Sequence, residues 1–217
     1  DLQPLYQAVA HGCQAGMHKK AFWEVYQPRI RRRENQAYPI IKLGAFATDL
    51  STVIWFFEQP WKHPARDLSD SDQGWLLNAA AFRLRALGRL TEALDPMRTA
   101  MESAAKLGDW KNAAKGASNL SELELTLGEV PSGVRDAEQS VAFAERSGNS
   151  NASQETRSTF ADALHQTGRR AAALAGFREA EAMQAERQPE YPLLYSVRGF
   201  KYCDLLIAAP ERAAWQM

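Results

Sequence analysis

Apolar residues recur at helical spacing along most of the chain. Leu2, Leu5, Val9 and Cys13 fall three or four apart and Gly16 follows as a stop, which predicts a first helix from Leu2 to about Ala15. Ala21, Phe22, Val25 and Tyr26 mark a second, about Lys19 to Arg31, in which Pro28 predicts a kink or an early end. Ile40, Ile41 and Phe46 mark a third, Asn35 to Thr48. Asp49 is placed to cap a fourth, Leu50 to Glu58, whose run from Val53 to Phe57 is apolar on nearly all sides. The stretches Pro60 to Pro64 and Ser69 to Asp72 then read as one long loop. Beyond it the pattern predicts helices over Ser71 to Leu87, Leu90 to Leu107, Trp110 to Leu127, Pro131 to Ser147, Ala152 to Thr167, Arg170 to Gln188 and Tyr191 to Ala208. Asp109, Ser150 and Asn151 are candidate caps, and Pro131 sits in a first turn. Pro210 is expected to end the last long helix, with Glu211 to Gln216 starting a partner helix.

The glycines give these helices a period. Gly88, Gly108, Gly128, Gly148 and Gly168 are evenly spaced, and similar sequence returns at twice that step: Leu87-Gly88-Arg89-Leu90 with Ala93, Leu127-Gly128-Glu129-Val130 with Gly133, Thr167-Gly168-Arg169-Arg170 with Ala173. A self-similar unit of about 40 residues is the mark of an α-solenoid, in which no unit buries its apolar face until a neighbour stacks on it. The expected fold is all-α, a right-handed superhelix of about five to six antiparallel helix pairs. It reads as a single repeat domain over 1–217, irregular over 1–66, regular over 71–188 and incomplete over 190–217.

Close packing of paired helices requires small residues where the axes approach. In the second helix of each pair, Ala93, Met97 and Ala100 meet that need, as do Gly133, Ala137 and Ser140, and Ala173, Phe177 and Ala180; Ala21, Val25 and Pro28 follow, and Val53, Phe57 and Pro60 fit poorly. In the first helices, Leu77, Ala81 and Leu84 set the inward row, matched by Leu5, Val9 and Gly12, by Ala37, Ile41 and Gly44, and by Ala117, Ser121 and Glu124.

Composition narrows the function classes. Lys plus Arg and Asp plus Glu both number 26, so the formal net charge is zero and no general attraction to nucleic acid or to a membrane is expected. The basic run Arg29, Arg31, Arg32 and Arg33 reads as cations at a helix C-terminus. Cys13 and Cys203 lie near opposite ends of a solenoid and are expected as free thiols in a reducing, cytoplasmic setting. No signal peptide pattern and no apolar run near membrane length occur. Starting at Asp1 and stopping at Met217 in mid-pattern, the sequence reads as a piece of something longer.

The Gly-x-[Leu/Val]-x-x-[Ala/Gly] turn followed by a small residue resembles the tetratricopeptide (TPR) repeat and covers nearly the whole chain. The sequence departs from that family in period, about 40 against about 34, in lacking the Trp and Tyr of the first helix, and in lacking the closing Pro. A HEAT or armadillo repeat is the alternative at this length. The segments 119–128 and 161–168 are similar to long repeats in C-terminal sensor regions of bacterial STAND-class signalling ATPases, although no Gly-x4-Gly-Lys-[Ser/Thr] occurs to bind nucleotide.

The TPR resemblance implies that first helices line a concave groove and bind a partner there. Carrying the register along gives Gln3, Tyr6, Ala10 and Cys13; Asn35, Tyr38, Lys42 and Ala45; Trp75, Asn78, Phe82 and Arg85; Lys115, Ser118, Glu122 and Leu125; and Glu155, Ser158, Asp162 and His165. Aromatics and Arg85 would anchor an extended or helical peptide, and Glu122, Glu155 and Asp162 would favour basic residues in it. The competing reading is that Trp75 and Phe82 pack against the preceding pair. The implied function is a non-catalytic protein- or peptide-binding scaffold, the sensor or partner-recruiting part of a larger signalling protein. The alternatives are metabolite sensing and self-association through the open end, Tyr191 to Trp215. No cofactor is expected. Ser158, Asp162 and His165 share a helix face but form no pocket for nucleophilic catalysis, and His11, Cys13 and His18 lack a fourth ligand and a common direction for a metal.

Overall fold

A left-handed glycine closes helix after helix, and its hydrogen bonds recur. At Gly88, Arg89 N–H donates to Leu84 O and Gly88 N–H to Arg85 O, the paired bonds of a Schellman motif. The same two bonds form at Gly108, Gly128 and Gly168, all with φ between 71° and 81°. A side chain is strained at that φ, so one turn chemistry sets the repeat.

The computed structural model describes residues 2–32 and 37–215. Its elements are α1 (Gln3–Gln14), α2 (His18–Lys20) continuing as a π-helical segment (Ala21–Ile30), α3 (Tyr38–Ile41), α4 (Phe46–Val53) with a 3₁₀ turn (Ile54–Phe56), β1 (Phe57–Gln59), β2 (His63–Pro64), α5 (Asp70–Ala86), α6 (Leu90–Lys106), α7 (Trp110–Thr126), α8 (Val130–Ser147), α9 (Ser150–Gln166), α10 (Arg170–Arg187) and α11 (Ser196–Trp215). This is an all-α helical repeat carrying one minimal antiparallel hairpin, β1–β2. By its own contacts the chain divides into two units, Asp1–Ala100 and Met101–Met217.

In the first unit, α1 packs on the π-helical segment and α4 on α5. The core joins Val9, Phe22, Tyr26, Ile30, Val53, Phe56, Leu76 and Leu77. Phe22 sits edge-on to Phe56, and both Phe22 and Tyr26 meet Trp75. Through this core runs a buried polar contact: Asp49 accepts from Tyr26 Oη at 3.1 Å and pairs with the Arg83 guanidinium, which also donates to Ala79 O at 2.6 Å. In the second unit each helix packs on the next, α7 on α8, α8 on α9 and α9 on α10, while the first helices α7, α9 and α11 touch in succession. The small-residue rows do what close approach demands. Ala93, Ala137, Ala173, Ala180, Ala81 and Ala117 are fully buried. A Cβ on Gly116 would lie 2.9 Å from Met101 Cβ, and one on Gly176 3.0 Å from Ala161 Cβ.

Several expectations are corrected. The third helix does not run from Asn35 to Thr48: Ala37 is left-handed, Pro39 occupies the first turn of α3, and Gly44 at φ 61° stops it, leaving Ile41 exposed. Asn35 lies outside the described residues. Asp49 is no N-cap; it sits inside α4, fully buried against Arg83. Pro28 does not end its helix early; the helix widens around it, so that Arg31 N–H reaches Tyr26 O. Leu50 to Glu58 is not one helix, because the chain turns extended at Phe57 and pairs with His63–Pro64. Asn149, rather than Ser150 or Asn151, caps α9, accepting from Ala152 N–H. Tyr191 to Leu194 is not helical, since α10 side chains satisfy its backbone: Gln184 Nε2 donates to Tyr191 O and Glu181 accepts from Leu194 N–H. Finally, α11 runs through Pro210 on an exposed side, so Glu211 to Trp215 continues it rather than opening a partner helix.

Candidate functional site

The residues predicted to face a partner divide into those turned outward and those that bind neighbouring helices to one another. In the first unit Asn78 and Phe82 are exposed on α5, Phe82 by 54%, and the Phe82 ring lies 6.1 Å from that of Phe46. Lys42 is exposed, and Tyr38 is half-buried with the Arg32 guanidinium 3.5 Å over its ring. Arg85 is half-buried. Trp75 turns inward to Phe22 and Tyr26, with the Arg31 guanidinium 4.5 Å above its ring. For Trp75, then, packing against the preceding helices describes the geometry, while Phe82 keeps half its surface open. Arg29 is exposed, Arg31 is buried, and Arg33 lies outside the described residues. Cys13 is buried, and burial followed by the charge of Asp67 pushes its thiol up to about 12.

In the second unit Lys115 and Glu155 are exposed, on α7 and α9. The rest of the row joins first helices. Ser118 Oγ donates to Thr159 Oγ1 at 2.9 Å, linking α7 to α9. Lys201 of α11 reaches Glu122 at 2.7 Å and Asp162 at 3.2 Å, and His165 lies 3.3 Å from Asp204. Burial alone would lower the Lys201 ammonium, but the two carboxylates outweigh it and its affinity for the proton is raised. Two of the three acidic groups assigned to a basic ligand are thus held by the chain's own lysine. Ser158 is buried and donates to Gln154 O, so Ser158, Asp162 and His165 point to three different partners. Among the described residues no three His, Cys, Asp or Glu side chains gather where they could hold a metal ion.

Sequence reasoning missed the device that seats α11. Gln154 and Gln184, both buried, bond at 2.7 Å; Gln154 Oε1 also accepts from Arg187 at 2.9 Å, and Gln184 Nε2 donates to Gln188 as well as to Tyr191 O. Arg170 donates to Leu205 O, and Tyr202 stacks on Phe177 at 5.0 Å. With α11 predicted a turn too early, no register linked Lys201 to Glu122. A shallow cavity of about 360 Å³ lies beside it, lined by His165, Gln166, Gly168, Ala208 and Glu211.

No family model matches the chain, and no curated protein matches it. Among solved structures, a Podosopora anserina protein described as a kinesin light chain with nearly identical TPR-like repeats superposes with a TM-score of 0.57 at 16% identity, over 87% of this chain and 96% of that one. A second structure of the same description gives a TM-score of 0.49 at 16% identity, over 99% of this chain and 90% of that one. At this identity the first likeness carries the fold alone: the chain has a TPR-like all-helical repeat architecture.

Proposed function

We propose that the chain is a non-catalytic scaffold that binds a protein or peptide on the outward side of its first helices, with α5 as the anchor point. The observation that carries this reading is Phe82, half open to solvent among buried neighbours Ala81, Arg83 and Leu84, with Asn78 one turn before it and Phe46 beside it. An aromatic side chain in that setting offers a ligand apolar area at small entropic cost. Because Lys201 already holds Glu122 and Asp162, the favoured ligand is defined by an apolar anchor more than by basic residues. A place as sensor or partner-recruiting arm of a larger cytoplasmic signalling protein fits the likeness of segments 119–128 and 161–168 to STAND-class sensor repeats. A zero formal charge gives no general pull toward nucleic acid, and no helix among the described residues is long and apolar enough to cross a membrane. A metabolite reading has less support, since the cavity beside His165 is lined about equally by polar and apolar surface, where small-molecule pockets are mostly apolar.

The test is peptide display against the chain, followed by titration of selected peptides against wild type and Phe82→Ala. Affinity for the variant should fall about tenfold or more while its melting stays put. Selected peptides that bind both equally would remove α5 from the site. A second reading, self-association through Tyr191 to Trp215, is favoured by the exposed apolar side chains gathered there.

A further inference from the structure

The corner that sets Phe46 beside Phe82 carries more than one exposed apolar side chain. Gly44 N–H donates to Ile40 O at 3.1 Å and Ala45 N–H to Pro39 O at 2.8 Å, which folds the end of α3 onto the start of α4. Ile41 and Leu43 in this corner are 65% and 52% exposed, and Lys42 between them is exposed as well. Just ahead of α3, exposed Arg32 lies over the Tyr38 ring. The exposed charges here have one sign. Among the described residues neither α3 nor α4 has an exposed carboxylate, because Asp49 is buried on Arg83. On α5 the exposed carboxylate is Asp70, its first residue, about three turns before Phe82. Arg33 and Glu34, outside the described residues, carry opposite charges and leave the balance as it is. The bias is also written in the sequence: residues 1–46 hold seven Lys and Arg against three Asp and Glu, although the whole chain is neutral.

We propose that the protein segment docking on α5 is acidic as well as apolar, laying an apolar side chain against Phe82 and Phe46 and an Asp or Glu beside it toward Lys42 and Arg32. The inference rests on the reading of α5 as the anchor point and specifies the partner's chemistry. Cations flanking an apolar anchor steer a carboxylate toward it and fix the direction in which the segment lies, and they repel a segment of their own sign. The basic ligand that spacing alone suggests therefore meets like charge at this corner. In the second unit it meets Glu122 and Asp162, which Lys201 already holds. A protein segment suits the corner better than a nucleic acid does. Nucleic-acid affinity grows with the number of phosphates neutralised, whereas here two exposed cations stand among Ile41, Leu43, Phe46 and Phe82.

A randomised peptide library panned against the whole chain tests this, with selected peptides then titrated against wild type, Lys42→Glu and Phe82→Ala, and with oligothymidylate as a competitor. Lys42 is exposed on a corner, so its substitution should leave melting unchanged. The expected peptides pair a large apolar residue with Asp or Glu within a turn of it. They should bind Lys42→Glu at least tenfold more weakly, and lose about as much on wild type when their acids are replaced by Asn and Gln. Peptides that depend on Phe82 but carry no acidic preference, or that ignore Lys42→Glu, would overturn the acidic partner and leave α5 as the anchor. Peptides indifferent to Phe82→Ala, or no selected peptide at all, would overturn both. Oligothymidylate that binds more tightly than the peptides and is lost in Lys42→Glu would overturn the inference in favour of a nucleic acid.

Discussion

Asp49 and Arg83 give the sharpest test of how the first unit is held. Asp49 is fully buried and Arg83 nearly so, and the pair is closed by Tyr26 Oη, which donates to the carboxylate at 3.1 Å and accepts from Arg83 at 3.2 Å. Burial in this core, with the Asp49 charge adding to it against the opposing pull of Arg83, holds the Tyr26 hydroxyl protonated far above its ordinary range. Asp49→Leu would leave the guanidinium with only Ala79 O and Tyr26 Oη among these partners, an uncompensated buried charge. Removing one member of such a pair costs about 3–5 kcal/mol, whereas replacing both by apolar groups is often near neutral. We expect Asp49→Leu and Arg83→Met each to cost about 3–5 kcal/mol. The double variant should fall closer to wild type than either, with about 1–3 kcal/mol left because Tyr26 loses its acceptor. Urea unfolding followed by tryptophan fluorescence reads this directly, since Trp75 packs on Tyr26. Strictly additive losses, or a single variant as stable as wild type, would refute the reasoning.

Other perturbations probe the repeat itself. Gly116→Ala should cost about 1–3 kcal/mol by thermal melting, because its Cβ would press on Met101 Cβ and Cα, which the backbone holds in place. Ala173→Arg, at a fully buried crossing of α10, should cost several kcal/mol, of the order of about 3–5; unchanged melting would refute the register. Lys201→Met should cost about 1–3 kcal/mol through its two charged contacts. The sign with pH follows from the raised Lys201 value: its contribution is complete below the unfolded value of about 10.4 and is lost as pH rises through the folded one. The melting gap between wild type and Lys201→Met should therefore hold at neutral pH and narrow above about 10.4.

What the chain shows plainly in one dimension is whatever depends on local backbone chemistry. Gly88, Gly108, Gly128 and Gly168 mark their turns because only glycine accepts that φ cheaply, and Ala137, Ala173 and Ala117 mark crossings because size decides them. Asp49 shows where local reading fails: a carboxylate before an apolar run looks like a cap, and nothing nearby reveals that Arg83, far along the chain, will claim it. Tyr191 to Leu194 fails likewise, since Gln184 and Glu181 replace the helical hydrogen bonds that spacing alone predicts. In the candidate site, Phe82 and Trp75 carry the same pattern but part company on packing. Trp75 finds Phe22 and Arg31, and Phe82 finds only Phe46 among the rings of the described residues. Glu122 and Asp162 looked available to a ligand because the register of α11, and so the reach of Lys201, depends on that same linker.

The most direct test of a scaffold anchored on α5 is hydrogen exchange of the chain with and without a peptide selected for binding. The account predicts new protection over Asn78 to Arg85 of α5, absent in Phe82→Ala. Protection confined to the second helices α8 and α10, or none with peptide bound, would contradict it.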